Sequence, residues 1–194
     1  MKLYFSPGAC SLADHIALHE AGLPFDHEKV DLKVKRTEGG VDFTTINPKG
    51  YVPALKLDSG EILSENLAIL DWVAHQKPTL KPTGPLGHTH LLMALAYIST
   101  EIHKAFKPFF AGAGDEEKAK AGATILKRMT YLADTMQGEF LFGSEVSVAD
   151  FYLFVMLLWA KKNAVEVPSK LATFRDQLME RPSVKKAMTH EDLL

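Results

Sequence analysis

The chain's one cysteine, Cys10, stands between a Pro7-Gly8 turn and a helix-forming run that opens at Ser11. A thiol placed there faces unpaired backbone N–H groups and the positive end of a helix dipole, which favours the thiolate over the free pKa of about 8.5. That position suggests sulfur chemistry; packing as a small hydrophobe is the plain alternative. His103 lies late in a helical run among Tyr97, Ile98, Ile102 and Phe106. An imidazole there can hold or shuttle a proton near neutral pH, or simply pack. Ser64-Glu65-Asn66 stands where a helix begins, so its N–H groups can take an anion and Glu65 can pair with a cation. Lys35, in Lys33-Val34-Lys35-Arg36, reads by itself as a solvated charge. Phe106, Phe109, Phe110 and Trp159 either line an apolar pocket or fill the core. His15 and His19 have the i,i+4 spacing of metal ligands, but no third ligand is evident nearby and His-Glu-x-x-His is absent. No metal is expected.

These residues need elements to position them. Leu3-Tyr4-Phe5 predicts a short strand stopped by Pro7-Gly8. Ser11 followed by Asp14 predicts a capping box and a helix to about Ala21, closed by Gly22. A second strand is expected over 28–32. Pro53 to Asp58 alternates, with Leu55 and Leu57 on one face, and Asp58-Ser59-Gly60 turns the chain into a hairpin partner at 61–63. Ser64 is expected to cap a helix carrying Leu67, Ile69, Leu70 and Val73. Residues 77–87 hold Pro78, Pro82, Pro85, Gly84 and Gly87 and read as a linker. Helices are expected near 88–107, 116–137, 148–162 and 169–180, with a short one after Pro182. Ser147-Val148-Ala149-Asp150 predicts a capping box, with Val146 and Phe151 placed as a hydrophobic staple. The organisation is therefore a mixed strand and helix domain over 1–76, a linker over 77–87 and an all-helical domain over 88–194.

Composition bounds what such a chain does. With 194 residues, 46% of them hydrophobic and 24% charged, it can bury a core without disulfides or other staples. Lys plus Arg is 22 against 24 Asp plus Glu, so no basic excess exists to neutralise a nucleic-acid backbone. One cysteine forbids an intrachain disulfide and fits a reducing compartment. The apolar run at the N-terminus is ended by Pro7-Gly8, short of the roughly 7–15 residues of a secretion signal. The longest apolar stretch, 151–160, falls short of the ~20 residues of a membrane span. A soluble, cytoplasmic protein with neither nucleic acid nor membrane as partner is expected.

The order of elements and the motifs within it resemble the glutathione S-transferases, most closely the bacterial beta class. The resemblance runs over the whole chain. It is carried by Ser6-Pro7-Gly8-Ala9-Cys10-Ser11, Asn47-Pro48-Lys49-Gly50-Tyr51-Val52-Pro53-Ala54-Leu55, Ser64-Glu65-Asn66, Thr100-Glu101-Ile102-His103-Lys104 and Ser147-Val148-Ala149-Asp150. It implies an α/β thioredoxin-like N-terminal domain, β-α-β-α-β-β-α, followed by an all-α C-terminal domain. It implies glutathione as co-substrate, with no permanently bound cofactor, and transfer to hydrophobic electrophiles by a homodimer. The same resemblance assigns Cys10 and His103 to catalysis beside the glutathione sulfur. It places a cis-proline at Pro53, so that the main chain of Val52 docks the tripeptide. Glu65 and Asn66 take the γ-glutamyl end, Lys35 the glycine carboxylate, and Thr100 reaches glutathione from the neighbouring subunit. Two departures stand out. Tyr4 precedes the place where some relatives carry a tyrosine, here Phe5, and Ala96 replaces an asparagine that contacts the ligand in several relatives. Glutathione-dependent peroxide or disulfide reduction through a mixed disulfide at Cys10 is the rival activity, and a non-catalytic adaptor the rival class.

Overall fold

Strand β1 (Lys2–Phe5) forms because its aromatic and branched residues fill both faces of a sheet, and Leu3, Tyr4 and Phe5 are all buried. A computed structural model describes residues 1–194, and its contacts divide the chain into two units. The first comprises Met1–Pro78 with Arg181–Leu194, and the second Thr79–Glu180.

The first unit is built on a five-stranded sheet of order β3-β2-β1-β4-β5. Strand β2 (Asp26–Asp31) runs parallel to β1 with Leu3 opposite His27. On its other side β2 pairs with the two-residue β3 (Arg36–Thr37), antiparallel. Strand β4 (Ala54–Lys56) runs antiparallel to β1 and forms the expected hairpin with β5 (Ile62–Ser64). One face of the sheet packs Tyr4, Val30, Phe43, Val52 and Ala54 together. Tyr4 is thus a core residue, its ring 5.8 Å from that of Phe43.

Between β3 and β4 the chain makes a single 3-10 turn, Phe43–Thr45, where the resemblance implies a second helix. Gly40 and Pro48 bracket a stretch of less than two α-helical turns. The Asp42 carboxylate also accepts the Thr44 N–H at 2.9 Å, a local bond that competes with helix growth.

Helix α1 (Ser11–Ala21) is buried continuously from Ser11 to Leu18 and closes on Gly22, whose φ of 69° admits the left-handed cap. Such burial obliges its polar members to find partners. Ser11 bonds back to Ser6, Asp14 to Asn66, and His15 to Glu191. The capping box expected from Ser11 and Asp14 does not form, because Ser11 is the first helical residue and Cys10 occupies the cap. Helix α2 (Asn66–Gln76) likewise begins two residues beyond Ser64, which ends β5.

The second unit is helical. Helix α3 (Gly87–Tyr97) runs on through a wide π-type turn, Ile98–His103, and a 3-10 turn, Lys104–Phe106, into α4 (Lys107–Phe110). The unbroken helix expected over 88–107 is therefore distorted in its second half. Gly87 has a structural reason: a Cβ there would lie 2.1 Å from the Pro82 carbonyl oxygen. Helix α5 spans Asp115–Thr135 and α7 Ser169–Met179. Between them α6 (Val148–Lys162) is buried from Val148 through Leu157 and forms the centre of the unit. It starts as expected: the Asp150 carboxylate accepts from Ser147 N–H at 2.8 Å and Ser147 Oγ–H at 2.6 Å. A third bond, from Leu141 N–H at 2.9 Å, fastens the preceding loop to the same carboxylate.

The last helix, α8 (Pro182–His190), packs on α1 and belongs to the first unit, although it follows the helical run in sequence. Glu20 receives Arg181 and the Ser183 hydroxyl, the latter at 2.5 Å. Val184 and Ala187 are fully buried beneath the helix.

Candidate functional site

Cys10 occupies the N-cap of α1 and is half-buried. Its thiol donates to the Val52 carbonyl oxygen at 3.8 Å. Burial pushes the thiol up to about 12, assisted by the nearby Asp14 carboxylate, and outweighs the backbone N–H groups of Ser11 and Cys10 that favour the thiolate. This reverses the sequence expectation. The helix end is present, but desolvation of a charged sulfur costs more than the helix end returns. Cys10 is a neutral S–H donor at pH 7.

The peptide bond between Val52 and Pro53 is cis, as the resemblance implies. Val52 is buried and its carbonyl is turned to Cys10. Asn66, at the start of α2, donates through Nδ2 to the Cys10 carbonyl at 2.8 Å and to Asp14 Oδ2 at 2.8 Å. This pins the start of α2 to the start of α1. Burial also holds the Asp14 carboxyl well above its ordinary range.

Glu65 has the least ordinary backbone of the site, with φ 73° and ψ 119° immediately before α2. That region is costly for a residue with a Cβ, by about 1–3 kcal/mol, and persists only where its surroundings enforce it. The Glu65 carboxylate accepts from Lys49 Nζ at 2.5 Å and Tyr51 OH at 2.6 Å. These two bonds, Lys49 first, hold it below the usual carboxylate range. Lys49 also reaches the Ser64 hydroxyl at 3.1 Å. Lys35 is a second non-glycine residue at positive φ, 56°, and its Nζ donates to the Gly50 carbonyl at 2.6 Å. Cys10, Val52, Pro53, Glu65 and Asn66 are thus joined in the first unit through direct bonds or adjacent positions, with Lys35 tied to the same 47–53 loop. Lys49 and Tyr51 went unremarked in the sequence as partners of Glu65. Their signal was present, a cation and a phenol within the same motif as Val52-Pro53.

In the second unit, Thr100 and His103 share the π-type turn. Thr100 is exposed and its hydroxyl donates to the Ala96 carbonyl at 2.9 Å. His103 Nδ1 lies 2.6 Å from the hydroxyl of Tyr152, a buried residue of α6 that the sequence did not single out. Burial lowers the His103 pKa from 6.5, so the ring is neutral at pH 7. His103, Lys104, Lys107, Phe110 and Ala111 line an open cavity of about 600 Å³. The four aromatics divide. Phe110 is exposed, its ring 4.8 Å from that of Trp159. Phe106 is fully buried core, and Phe109 lines a different groove beside Leu126 and Val165.

Two family models match the chain. The glutathione S-transferase N-terminal domain matches residues 9–76 and the glutathione S-transferase C-terminal domain matches residues 100–191. The chain belongs to the glutathione S-transferase family. It is 40% identical over the full length of both chains to glutathione S-transferase GstA of Escherichia coli O157:H7. A sphingomonad glutathione S-transferase solved in complex with glutathione superposes with TM-score 0.92 at 45% identity, covering all of both chains. The bacterial beta-class glutathione S-transferase of Sphingomonas chungbukensis gives TM-score 0.91 at 46% identity, again over both chains. A glutathione S-transferase of this kind takes glutathione as co-substrate, and its first domain is the thioredoxin-like fold described above. No helix is long and apolar enough to cross a membrane.

Proposed function

We propose that the protein conjugates reduced glutathione to hydrophobic electrophiles in the cytoplasm, as a homodimer. The observation that carries the reading is Glu65: a non-glycine residue held at positive φ, at a helix N-terminus, with its carboxylate fixed by Lys49 and Tyr51. Glutathione's γ-glutamyl end offers an ammonium and a carboxylate, which suit Glu65 and the first-turn N–H groups of α2. The exposed Lys49 is a partner that an incoming ammonium can displace at little cost, since water screens exposed ion pairs. The open main chain beside the cis-proline takes the cysteinyl part, and Lys35 the glycine carboxylate.

In the reaction the glutathione thiol loses its proton, the thiolate forms a C–S bond and the leaving group departs with its electron pair. A neutral Cys10 S–H and the Ser11 N–H are donors suited to a thiolate sulfur. His103, uncharged at pH 7, is in the state a proton acceptor needs. The cavity beside Phe110 supports an apolar second substrate. Conjugation is favoured over disulfide reduction because the latter needs a Cys10 thiolate, which burial suppresses. The exposed Thr100 suits the intersubunit contact implied by the resemblance, and sedimentation should give twice the chain mass.

The test is steady-state kinetics with an activated aryl chloride. Glu65→Gln should raise the KM for glutathione by about tenfold or more, from the loss of a charge-assisted contact worth roughly 1.5–3 kcal/mol, with a smaller change in kcat. An unchanged KM would remove Glu65 from the site. Failure of the parent protein to bind immobilised glutathione would remove the whole reading.

A further inference from the structure

Outside the glutathione-binding region, the first unit gathers four imidazoles from three elements. His15 and His19 lie one turn apart on α1, His27 comes from β2, and His190 ends α8. The sequence showed only the first pair. The folding of α8 onto α1, and the pairing of β2 with β1, bring the other two. We propose that His15, His27 and His190, with His19 beside His190, form a binding site for one zinc-class divalent transition-metal ion.

The ring nitrogens, more than the rings, carry the argument. His190 Nδ1 lies 3.4 Å from His15 Nε2 and also 3.4 Å from His19 Nε2. A tetrahedral ion with metal–nitrogen bonds of about 2.0–2.1 Å sets its ligand nitrogens roughly 3.3–3.4 Å apart. Ligand atoms of His15, His27 and His190 lie within 4.8 Å of one another, and rotation of the exposed His27 ring off its stack on His190 (centroids 4.5 Å apart) closes the set. Hydrogen bonding by itself explains the arrangement poorly. His190 Nδ1 carries either one proton or one lone pair, so it makes one well-directed bond where two neighbours face it. A cation meets all of these nitrogens as lone pairs.

The surroundings also fit. His15 is fully buried, and its other nitrogen, Nδ1, sits 3.0 Å from Glu191 Oε1. A carboxylate on the far side of a ligating imidazole fixes the tautomer and directs Nε2 at the metal. Glu191 Oε2 accepts the Gly8 N–H at 2.9 Å, so the same side chain holds the turn that leads to Cys10. Asp26 and Glu38 act on His27, while Lys186 acts against a cation from α8. The two carboxylates thus favour a cation at His27, whereas Lys186 opposes one at His15, His19 and His190. Access runs past His27, which is exposed, and His190, which is half-buried. An ion there ties α1, β2 and the chain's last helix together, a structural clip distinct from the transferase chemistry.

The experiment uses the full-length protein stripped with a chelator and titrated with Co²⁺ in the absence of glutathione. One equivalent per chain should bind, with the intense visible bands of tetrahedral Co²⁺, and Zn²⁺ should bleach them and raise the thermal midpoint. Glu191→Gln should weaken Co²⁺ binding by about 10–100-fold, the loss seen when an orienting carboxylate is removed. His27→Ala, at an exposed position that tolerates truncation, should weaken it at least as much, whereas His90→Ala should bind as the parent does. Absence of a saturable tetrahedral band in the parent, or equal binding by His27→Ala and the His19→Ala/His190→Ala variant, would overturn the site. Because the readout is metal binding, this outcome is independent of whether the protein conjugates glutathione.

Discussion

At the scale of single residues, Cys10 shows how two local effects compete and which one wins. A helix N-terminus stabilises a nearby anion by about 0.3–1 kcal/mol when exposed and up to ~2 when partly buried. Burial beside Asp14 acts the other way and takes the thiol to about 12. The sign follows directly: a thiol pKa raised in the fold keeps its stabilising contribution below the unfolded value near 9 and loses it as the pH climbs towards 12. Alkylation of Cys10 should therefore be negligible at pH 7 and accelerate only in strongly alkaline solution, a profile that mass spectrometry after timed iodoacetamide treatment reads. Ready alkylation at neutral pH would restore the thiolate and the redox activity with it. Glu65 teaches a related lesson. Its type and position were legible as a cation partner, but its positive φ and its grip by Lys49 and Tyr51 needed neighbours distant by 14 to 16 residues.

Among the elements, the contrast between α1 and α6 explains why one capping box formed and the other did not. Ser147 and Asp150 start α6 with a carboxylate that takes three hydrogen bonds in a buried setting. Removing it should leave these donors unpaired, at about 1–3 kcal/mol for each that water cannot reach. Asp150→Ala is expected to destabilise the protein by about 2–4 kcal/mol, visible as a lower midpoint in urea with an unchanged slope. Ser11 and Asp14 have the same spacing, yet each is drawn to another partner: Ser6 in the preceding turn for one, the distant Asn66 for the other. The spacing alone could not tell these cases apart. The π-type turn at Ile98–His103 was equally hidden, since its residues have the periodicity of an ordinary helix.

For the molecule as a whole, the last 14 residues matter through where they fold back. Residues 181–194 join the first unit, so α8 covers a face of α1 that the rest of the sheet unit leaves uncovered. Val184, Ala187 and Met188 are buried there. Each larger side chain of that kind contributes about 1.5–3 kcal/mol, a substantial share of a typical stability of 5–15 kcal/mol. Deleting residues 181–194 should lower the thermal midpoint markedly and expose apolar surface, measurable by scanning fluorimetry with a hydrophobic dye. An unchanged midpoint would mean that α8 is an ornament on a self-sufficient unit.

The sequence by itself determined most of the element order (β3 and the 3-10 turn at 43–45 apart), the hairpin, the cap of α6 and the family, because these rest on local turn chemistry, hydrophobic period and contiguous motifs. It also singled out Cys10, Val52, Glu65 and Asn66, which the fold brings together. Tertiary structure decided the protonation state of Cys10, the partners of Glu65 and the company of His15. Each of these depends on what lies across space: desolvation has no signature in neighbouring letters, and four histidines spread over positions 15 to 190 meet only after β2 and α8 have found α1.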